Sequence, residues 1–245
     1  MKRILIIGSQ HGNERLGERL YRHVRKYEPD LAPFLTFLIA NPLARSKGTR
    51  FIETDMNRSY RGGLGSYEEY LARALLAHIE HASYDIVLDM HTTRCAQPSS
   101  ILIAPDSKVD NFIAASTIQN IVIMEPHLAK TSLIGNVKNC VSIEMQERRV
   151  TKLTLNELAG DIKRYINGST YETTRKKYVI DDLLHKVELS QEDVQRLRNF
   201  QKSKHGFYPI LVGNNSYRKN THYLGFKAHL VSDTSIPKVG YNEHQ

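Results

Sequence analysis

The first fourteen residues constrain the fold more than any other stretch of this 245-residue chain. Residues 4–7 are an apolar run of the β type, and Gly8 ends it. A polar turn, residues 9–14, follows and leads directly into a helical pattern that extends to Tyr27. A strand joined to a helix by a short turn is the building unit of a parallel α/β sheet, in which ligands collect where the strands end. We therefore expect a binding site close to residues 9–14.

Strand-like and helix-like segments alternate as far as residue 167. This alternation predicts a mixed, largely parallel twisted sheet flanked by helices. Between two of the segments, residues 43–66 contain four glycines and no apolar periodicity, which predicts a long polar loop. Loops of that length within a compact domain often carry function. The predicted strands cover residues 35–40, 86–90, 101–104, 121–124 and 140–145, and the predicted helices cover residues 67–81, 111–118 and 154–166.

The sequence pattern changes after the Gly-Ser-Thr stretch at residues 168–170. Further strands are expected at residues 178–184, 208–212 and 223–230, with one short helix at residues 192–200. The chain is thus predicted to consist of a main domain, residues 1–167, and a small β-rich C-terminal appendage, residues 168–245.

The net charge of +8 raises the question of a nucleic-acid partner. The basic residues are spread along the chain without a nucleic-acid-binding motif, and a basic funnel for a small anionic substrate explains the charge equally well. No apolar run approaches the length of about 18 residues that a membrane span needs, and the N-terminal run is too short for a secretory signal. The two cysteines, Cys95 and Cys140, do not form a disulfide framework. We expect a cytoplasmic protein with two core cysteines and no nucleic-acid or membrane partner; a homo-oligomer remains open.

His11 and Glu14 lie three positions apart in the turn after the first strand, and Gly12 lets the backbone turn tightly between them. The predicted strand at residues 86–90 ends at His91. Two imidazoles and one carboxylate are the ligand set of several zinc hydrolases, in which a fourth position stays open for water. Each residue also has a simpler interpretation: Glu14 suits the start of a helix, and His91 could be a hydrogen-bonded histidine at a strand end.

Glu144 lies within an apolar strand, where a carboxylate is costly unless it is paired or functional. Partial burial raises the proton affinity of a carboxylate, which suits a general base. Asp89 shares a sheet face with His91, either to orient an imidazole or as a plain buried hydrogen-bond acceptor. The polar loop supplies Arg50 and Arg58, and guanidinium groups can polarise a carbonyl or hold a carboxylate.

Four segments in this order, GSQHGNE, TRFIETDMNRSY, SYDIVLDMHTT and SIEM, resemble the aspartoacylase/succinylglutamate desuccinylase family, relatives of the zinc carboxypeptidases. The later segment GFYPILVGNNSYRKN resembles the end of aspartoacylases in particular. The resemblance covers most of the chain and implies a zinc carboxypeptidase-like fold with one zinc ion per chain. It also implies hydrolysis of a small anionic N-acyl amino acid, similar to N-acetylaspartate, into a carboxylate and a free amino acid.

The resemblance also implies roles for individual residues, and it places the C-terminal segment in the substrate pocket. The implied roles are as follows: His11, Glu14 and His91 are zinc ligands, Glu144 is the general base, and Arg50 polarises the scissile carbonyl. Asn57 and Arg58 bind the substrate carboxylate with Asp55 beside them, and Tyr217 is a pocket residue.

Three departures from the family pattern leave the substrate open. Ile134 stands where aspartoacylases carry an arginine for the aspartate side chain, and Lys130 and Lys138 are the nearest basic alternatives. Glu144 is followed by Met-Gln-Glu instead of a glycine-proline pair, and the C-terminal part is short. A succinylglutamate desuccinylase or a carboxypeptidase-type peptidase with the same site is the alternative. A non-catalytic module that binds polyanions is a remoter one, and it predicts salt-dependent affinity for nucleic acid.

Overall fold

The structure, a computed structural model, describes residues 1–213 and 222–231. In these ranges one sheet of nine strands runs through the protein. The strands are β1 (Ile4–Gly8), β2 (Leu35–Ile39), β3 (Ile86–Thr93), β4 (Ser100–Ile103), β5 (Asn120–Met124), β6 (Cys140–Gln146), β7 (Lys176–His185), β8 (Tyr208–Ile210) and β9 (Tyr223–Val231).

The strand order across the sheet is β2-β1-β3-β6-β4-β5-β7-β9-β8. Five of the neighbouring pairs are parallel, whereas β4 runs against β6 and β9 runs against both β7 and β8. The prediction of a mixed, largely parallel sheet is therefore confirmed. Because β7 pairs with β5, the strands of the predicted C-terminal appendage continue the main sheet. The domain boundary after residue 167 stays a prediction.

The two longest helices have capping residues at their ends. The side chain of Ser66 accepts a hydrogen bond from the Glu69 N–H at the start of α3, and Gly168, with φ 68°, ends α6. Within the described residues, no helix combines the length and the apolar character needed to cross a membrane. The helices are α1 (Leu16–Tyr27), α2 (Pro42–Lys47), α3 (Tyr67–Ala82), α4 (Asp110–Ala115), α5 (Pro126–Ala129), α6 (Lys152–Asn167) and α7 (Gln191–Arg196).

Each face of the sheet has its own hydrophobic core, because successive strand residues point to opposite faces. On one face, Leu20 of α1 and Ile162 of α6 join the core that contains Ile6 of β1. On the other face, Leu75 of α3 belongs to the core that contains Leu5 of β1. Because the central parallel strands are buried on both faces, their sequences consist of consecutive apolar residues.

The prediction of an unbroken polar loop over residues 43–66 is wrong at its start, where α2 forms. The Asn41 side chain accepts a hydrogen bond from the Ala44 N–H, Pro42 occupies the first turn, and Gly48 closes the helix with φ 63°. Six residues are too few to show apolar periodicity, so only these capping residues could have revealed the helix. The rest of the stretch contains a 3-10 turn, Met56–Arg58.

Both cysteines are buried and free, which confirms the prediction that they are core residues. Burial raises the pKa of the Cys95 thiol to about 11. Burial and the nearby Asp89 carboxylate raise the pKa of the Cys140 thiol well above its ordinary value. Both groups are therefore neutral thiols at physiological pH.

Candidate active site

The three predicted metal ligands meet where β1 and β3 end. In these parallel neighbours Ile7 pairs with Asp89, so the turn after β1 lies beside the last residues of β3. His11, Glu14 and His91 are all buried, and one ligand atom from each lies within 4.8 Å of the other two. The sheet thus brings together two residues of one turn and a histidine about eighty positions later.

The turn after β1 is held in an uncommon conformation. Ser9 has φ 56°, in the left-handed region that favours glycine. Its hydroxyl donates to the Glu14 carbonyl at 3.0 Å and is 3.1 Å from Glu18 Oε1. The Gly12 N–H donates to the Arg50 carbonyl at 3.0 Å, which attaches the turn to the polar loop. Such local strain persists where the surrounding structure enforces it, and it often accompanies functional sites.

Gly12 packs directly on the backbone of α2, and we expect the substitution Gly12→Ala to destabilise the protein. A Cβ atom at this position would overlap the backbone of Ala44 and Arg45, which cannot move aside as a flexible side chain can. The expected loss is about 3 kcal/mol, seen as a Tm lower by roughly 10 °C. The matched control is Gly63→Ala, since a Cβ at Gly63 would meet nothing closer than the Gly65 backbone nitrogen at 4.0 Å. An unchanged Tm for Gly12→Ala would contradict this packing.

Both imidazoles direct Nδ1 towards the same carboxylate. His11 Nδ1 lies 2.8 Å from Glu14 Oε1, and His91 Nδ1 lies 3.0 Å from Glu14 Oε2. The Thr92 N–H also donates to Glu14 Oε2 at 3.0 Å. The three groups therefore converge on one point between the two rings.

The remaining nitrogen of each imidazole has a carboxylate partner of its own. His91 Nε2 lies 2.9 Å from Asp89 Oδ2, and His11 Nε2 lies 3.1 Å from Asp55 Oδ1. Of the two interpretations of Asp89, the contact matches that of a carboxylate that orients an imidazole.

Asp55 was predicted beside Asn57 and Arg58 in the substrate site, and its role there stays a prediction. Its carboxylate accepts a hydrogen bond from the Asn57 N–H at 3.0 Å and also contacts Arg50 and, on the adjoining turn, His11. Sequence reasoning missed the contact with His11 because no local pattern links Asp55 to the turn after β1.

The position of each imidazole between two carboxylates sets the protonation of the metal-free site. Burial alone would lower the pKa of His11, but Glu14 and Asp55 outweigh burial and the opposing charge of Arg50, so the pKa is raised. For His91, burial is outweighed by Asp89 and Glu14, and the pKa is well above its ordinary value. Conversely, the two imidazoles lower the pKa of Glu14 despite its burial. A metal ion would take the place of a proton on each imidazole.

The charges of the group fit a divalent cation. Glu14, Asp55 and Asp89 carry three negative charges. Arg50 supplies one positive charge, with Nη2 at 2.9 Å from Asp55 Oδ2 and Nη1 at 3.2 Å from Glu14 Oε1. With neutral imidazoles, the three carboxylates outnumber the guanidinium groups that act on them, although the charge of Arg58 also reaches Asp55. Two imidazole nitrogens and one carboxylate are ligands typical of catalytic zinc. The residues present therefore fit a zinc ion.

Glu144 lies directly opposite His91 in the parallel pairing of β3 and β6. Opposite residues of neighbouring strands share a sheet face, so Glu144 is on the side of the metal ligands. Burial, together with the charge of Glu14, raises the pKa of Glu144 to about 7, against the opposing influence of His91. A carboxyl group with that pKa can both accept and release a proton near neutral pH.

Glu68 fastens the loop that carries Arg50 and Asp55. Its carboxylate is fully buried and accepts hydrogen bonds from the backbone N–H groups of Ile52, Glu53 and Thr54 at 2.7 to 3.1 Å. These donors lower the pKa of Glu68 although burial alone would raise it. Sequence reasoning missed this residue, because a glutamate in the first turn of a helix has an ordinary explanation in the helix dipole.

A small cavity of about 30 Å³ borders Glu144, and Asn57 and Arg58 also line it. Asn57 Oδ1 accepts a hydrogen bond from the Leu133 N–H at 3.3 Å, and Arg58 Nη1 donates to the Asn57 carbonyl at 2.7 Å. The structure thus brings Asn57, Arg58 and Glu144 to one space beside the metal ligands. Tyr217 lies outside the described residues.

Comparison with known proteins identifies sequence relatives. Residues 1–152 match the profile described as "Succinylglutamate desuccinylase/Aspartoacylase catalytic domain". A probable aspartoacylase of Prochlorococcus marinus is 24% identical over 89% of this chain and 91% of its own length. The aspartoacylase of Xenopus tropicalis is 28% identical over 73% of this chain and 66% of its own length.

Solved structures show the same fold. Murine aminoacylase 3 superposes with a TM-score of 0.69 at 18% identity, over 94% of this chain and 95% of that protein. At this level of identity the likeness concerns the fold and leaves the substrate open.

Proposed function

Since the chain belongs to the succinylglutamate desuccinylase/aspartoacylase family of amidohydrolases, we propose that it is a zinc-dependent enzyme that hydrolyses an N-acyl amino acid to a carboxylate and a free amino acid. The observation that carries the proposal is the buried group of His11, Glu14 and His91 with Glu144 opposite His91 on the next strand. The ligand set supplies a place for the ion, and Glu144 supplies a base beside it.

Glu144 moves the proton in the proposed reaction. A zinc ion held by His11, Glu14 and His91 would supply a Lewis acid that polarises the acyl oxygen and makes a water molecule more acidic. Glu144 takes a proton from the water as the water oxygen attacks the acyl carbon. The carbon–nitrogen bond then breaks, and Glu144 returns the proton to the departing amine nitrogen.

Arginine side chains stabilise the negative charges in this scheme. Arg50 is aimed at the site by its contacts with Asp55 and Glu14, and it stabilises the negative charge that develops on the acyl oxygen. Arg58 and Asn57 hold the carboxylate of the amino-acid half at the rim of the cavity. A role for Tyr217 in the pocket stays a prediction.

The N-acetylaspartate-like substrate expected from the family resemblance also stays a prediction. Cleavage of a succinyl group or of a C-terminal peptide bond would use the same metal ligands and the same base. A non-catalytic polyanion-binding module would need neither Glu144 nor the carboxylates behind the two imidazoles.

The experiment that tests the proposed function is amine release from a panel of N-acetyl and N-succinyl amino acids by the zinc-loaded protein. We expect turnover of at least one N-acyl amino acid, with one amine formed per acyl group released. Full zinc occupancy without turnover of any panel member would contradict the proposed reaction. Nucleic-acid binding that weakens steeply with salt, without hydrolysis, would support the polyanion-binding alternative.

A further inference from the structure

The cavity beside Glu144 has a composition that indicates which amino acids the protein accepts. We propose that the amino-acid half of the substrate carries a short, uncharged, apolar side chain that lies in this cavity. The inference rests on the proposed function and names the substrate class of the same site.

Eleven of the described residues line the cavity, and five of them form an apolar wall. It consists of five side chains that all belong to the hydrophobic core on this face of the sheet, and each is less than 10% exposed. A carboxylate placed against such a wall would lose its hydration without gaining hydrogen-bond donors, whereas an aliphatic group would gain contacts. The five residues are Leu102, Met124, Ile134, Leu211 and Phe226.

The polar residues of the cavity fix the orientation of the substrate. Glu144, Asn57 and Arg58 line it, together with Asp89, Ser132 and Ser142. In an N-acyl amino acid the nitrogen, the carboxylate and the side chain are bonded to the same carbon. When the nitrogen is close to Glu144 and the carboxylate is close to Arg58, the side chain is left to face the other lining residues, most of which are apolar.

Leu211 is held in this wall by an unusual backbone conformation. It has φ 58°, which is rare for a bulky residue, and its N–H donates to Gln97 Oε1 at 3.2 Å. Gln97 is itself buried. Strain of this kind is maintained only when the surroundings enforce it, and it concentrates at ligand-binding sites. The conformation of Leu211 therefore supports a binding role for the apolar wall.

Two basic side chains that could have served an acidic substrate lie elsewhere. Lys138 is exposed and pairs with Asp106 at 3.1 Å, and Lys130 is exposed after α5. Among the described residues that line the cavity, Arg58 alone carries a positive charge. Arg58 matches the α-carboxylate that all N-acyl amino acids share. An acidic side chain would need a second cation, and Ile134 stands where aspartoacylases carry that arginine.

The test compares N-acetylleucine, N-acetylasparagine and N-acetylaspartate, because their side chains have nearly the same shape and differ in polarity and charge. We expect kcat/KM for N-acetylleucine to exceed that for N-acetylaspartate by at least about tenfold, with N-acetylasparagine between them. N-acetylalanine should be hydrolysed at least as fast as N-acetylleucine, and N-acetylphenylalanine more slowly than either, because the cavity measures only about 30 Å³. Equal or faster hydrolysis of N-acetylaspartate would overturn the inference.

Two substitutions at Ile134 make the test specific to the wall. Ile134→Ala enlarges the cavity and should raise the ratio of phenylalanine to leucine substrate turnover by about tenfold. Ile134→Arg should raise the ratio of aspartate to leucine turnover. The control is Val137→Ala, a truncation in the same core at a residue that does not line this cavity. If the control shifts these ratios as much as Ile134→Ala does, the assignment of the wall is wrong.

A binding measurement separates this inference from the proposed function. The rise in Tm of the zinc-loaded protein is measured with the free amino acids leucine and aspartate, which are reaction products. If leucine raises the Tm more than aspartate does, in a protein that hydrolyses no N-acyl amino acid, the result would support the apolar side-chain site and contradict the proposed reaction. Hydrolysis with a preference for acidic substrates would support the proposed reaction and contradict the apolar side-chain site.

Discussion

The substitution Glu144→Gln is expected to lower kcat by about 1,000-fold or more while the protein still binds zinc. Glutamine keeps the shape of the side chain but can neither take a proton from water nor return it to the amine. Glu144 is not among the three predicted ligands, so zinc occupancy should stay near one ion per chain. Steady-state kinetics and metal analysis of the same preparation measure both quantities. Retention of most of the activity would contradict the assignment of Glu144 as general base.

The matched control is Glu147→Gln. Glu147 follows directly after β6, is exposed, and pairs with Arg94 at 3.2 Å. Its replacement removes a nearby negative charge without touching the metal ligands, so activity should stay close to that of the unmodified protein. An equal loss of activity in both variants would indicate a general charge effect instead of base catalysis.

The raised pKa of Glu144 predicts the pH dependence of both activity and stability. The carboxylate form is the base, so kcat/KM should fall as the pH drops and Glu144 takes up a proton. The positive charge of a bound zinc ion favours the carboxylate, so this fall is expected below the pKa of about 7 that Glu144 has in the metal-free protein. In the metal-free protein the folded state keeps a proton on Glu144 between its ordinary pKa of 4.5 and about 7, whereas the unfolded chain has lost it. Stability attributable to this residue therefore decreases as the pH rises through that window. At pH 8 the metal-free Glu144→Gln variant should have a higher Tm than the unmodified protein.

The second large effect is expected for Glu14→Gln, which should weaken zinc binding more than about 100-fold and abolish activity at limiting zinc. Glu14 contacts both imidazoles and Arg50. An amide is a poorer zinc ligand than a carboxylate, and it leaves the two imidazoles without their shared anionic partner. Competition with a fluorescent zinc chelator measures the affinity.

A buried carboxylate elsewhere provides the control for Glu14→Gln. Asp161 is fully buried and accepts hydrogen bonds from Ser116 and Thr117. The variant Asp161→Asn should lower the Tm without changing the zinc affinity. If it weakened zinc binding as much as Glu14→Gln, loss of overall stability would explain both results, and the ligand assignment would lose its support.

The parts of the site that depend on strand ends could be predicted from the sequence. His11 and Glu14 follow one apolar strand and His91 lies near the end of another, and parallel strands place their carboxyl ends at one edge of the sheet. Glu144 stands out for a related reason, because it is a carboxylate within an apolar strand. These residues are identified by short-range patterns, and the sheet then brings them together.

The contacts that orient and enclose these residues could not be predicted in the same way. The contact between Asp55 and His11 joins residues 44 positions apart, and Glu68 binds a backbone stretch through its side chain. The apolar wall combines Ile134 with Leu211 from a loop near the end of the described chain. Such contacts depend on the path of the chain between the elements, which periodicity does not encode.

Zinc titration of the metal-free protein tests the central claim most directly. A chelator first removes bound metal, and the release of free amino acid from the best substrate of the panel is then measured as zinc is added in steps. The structure predicts that the rate rises in proportion to added zinc and levels off at one ion per chain. Hydrolysis that proceeds fully in the metal-free protein and does not respond to zinc would contradict the assignment of His11, Glu14 and His91 as the catalytic metal site.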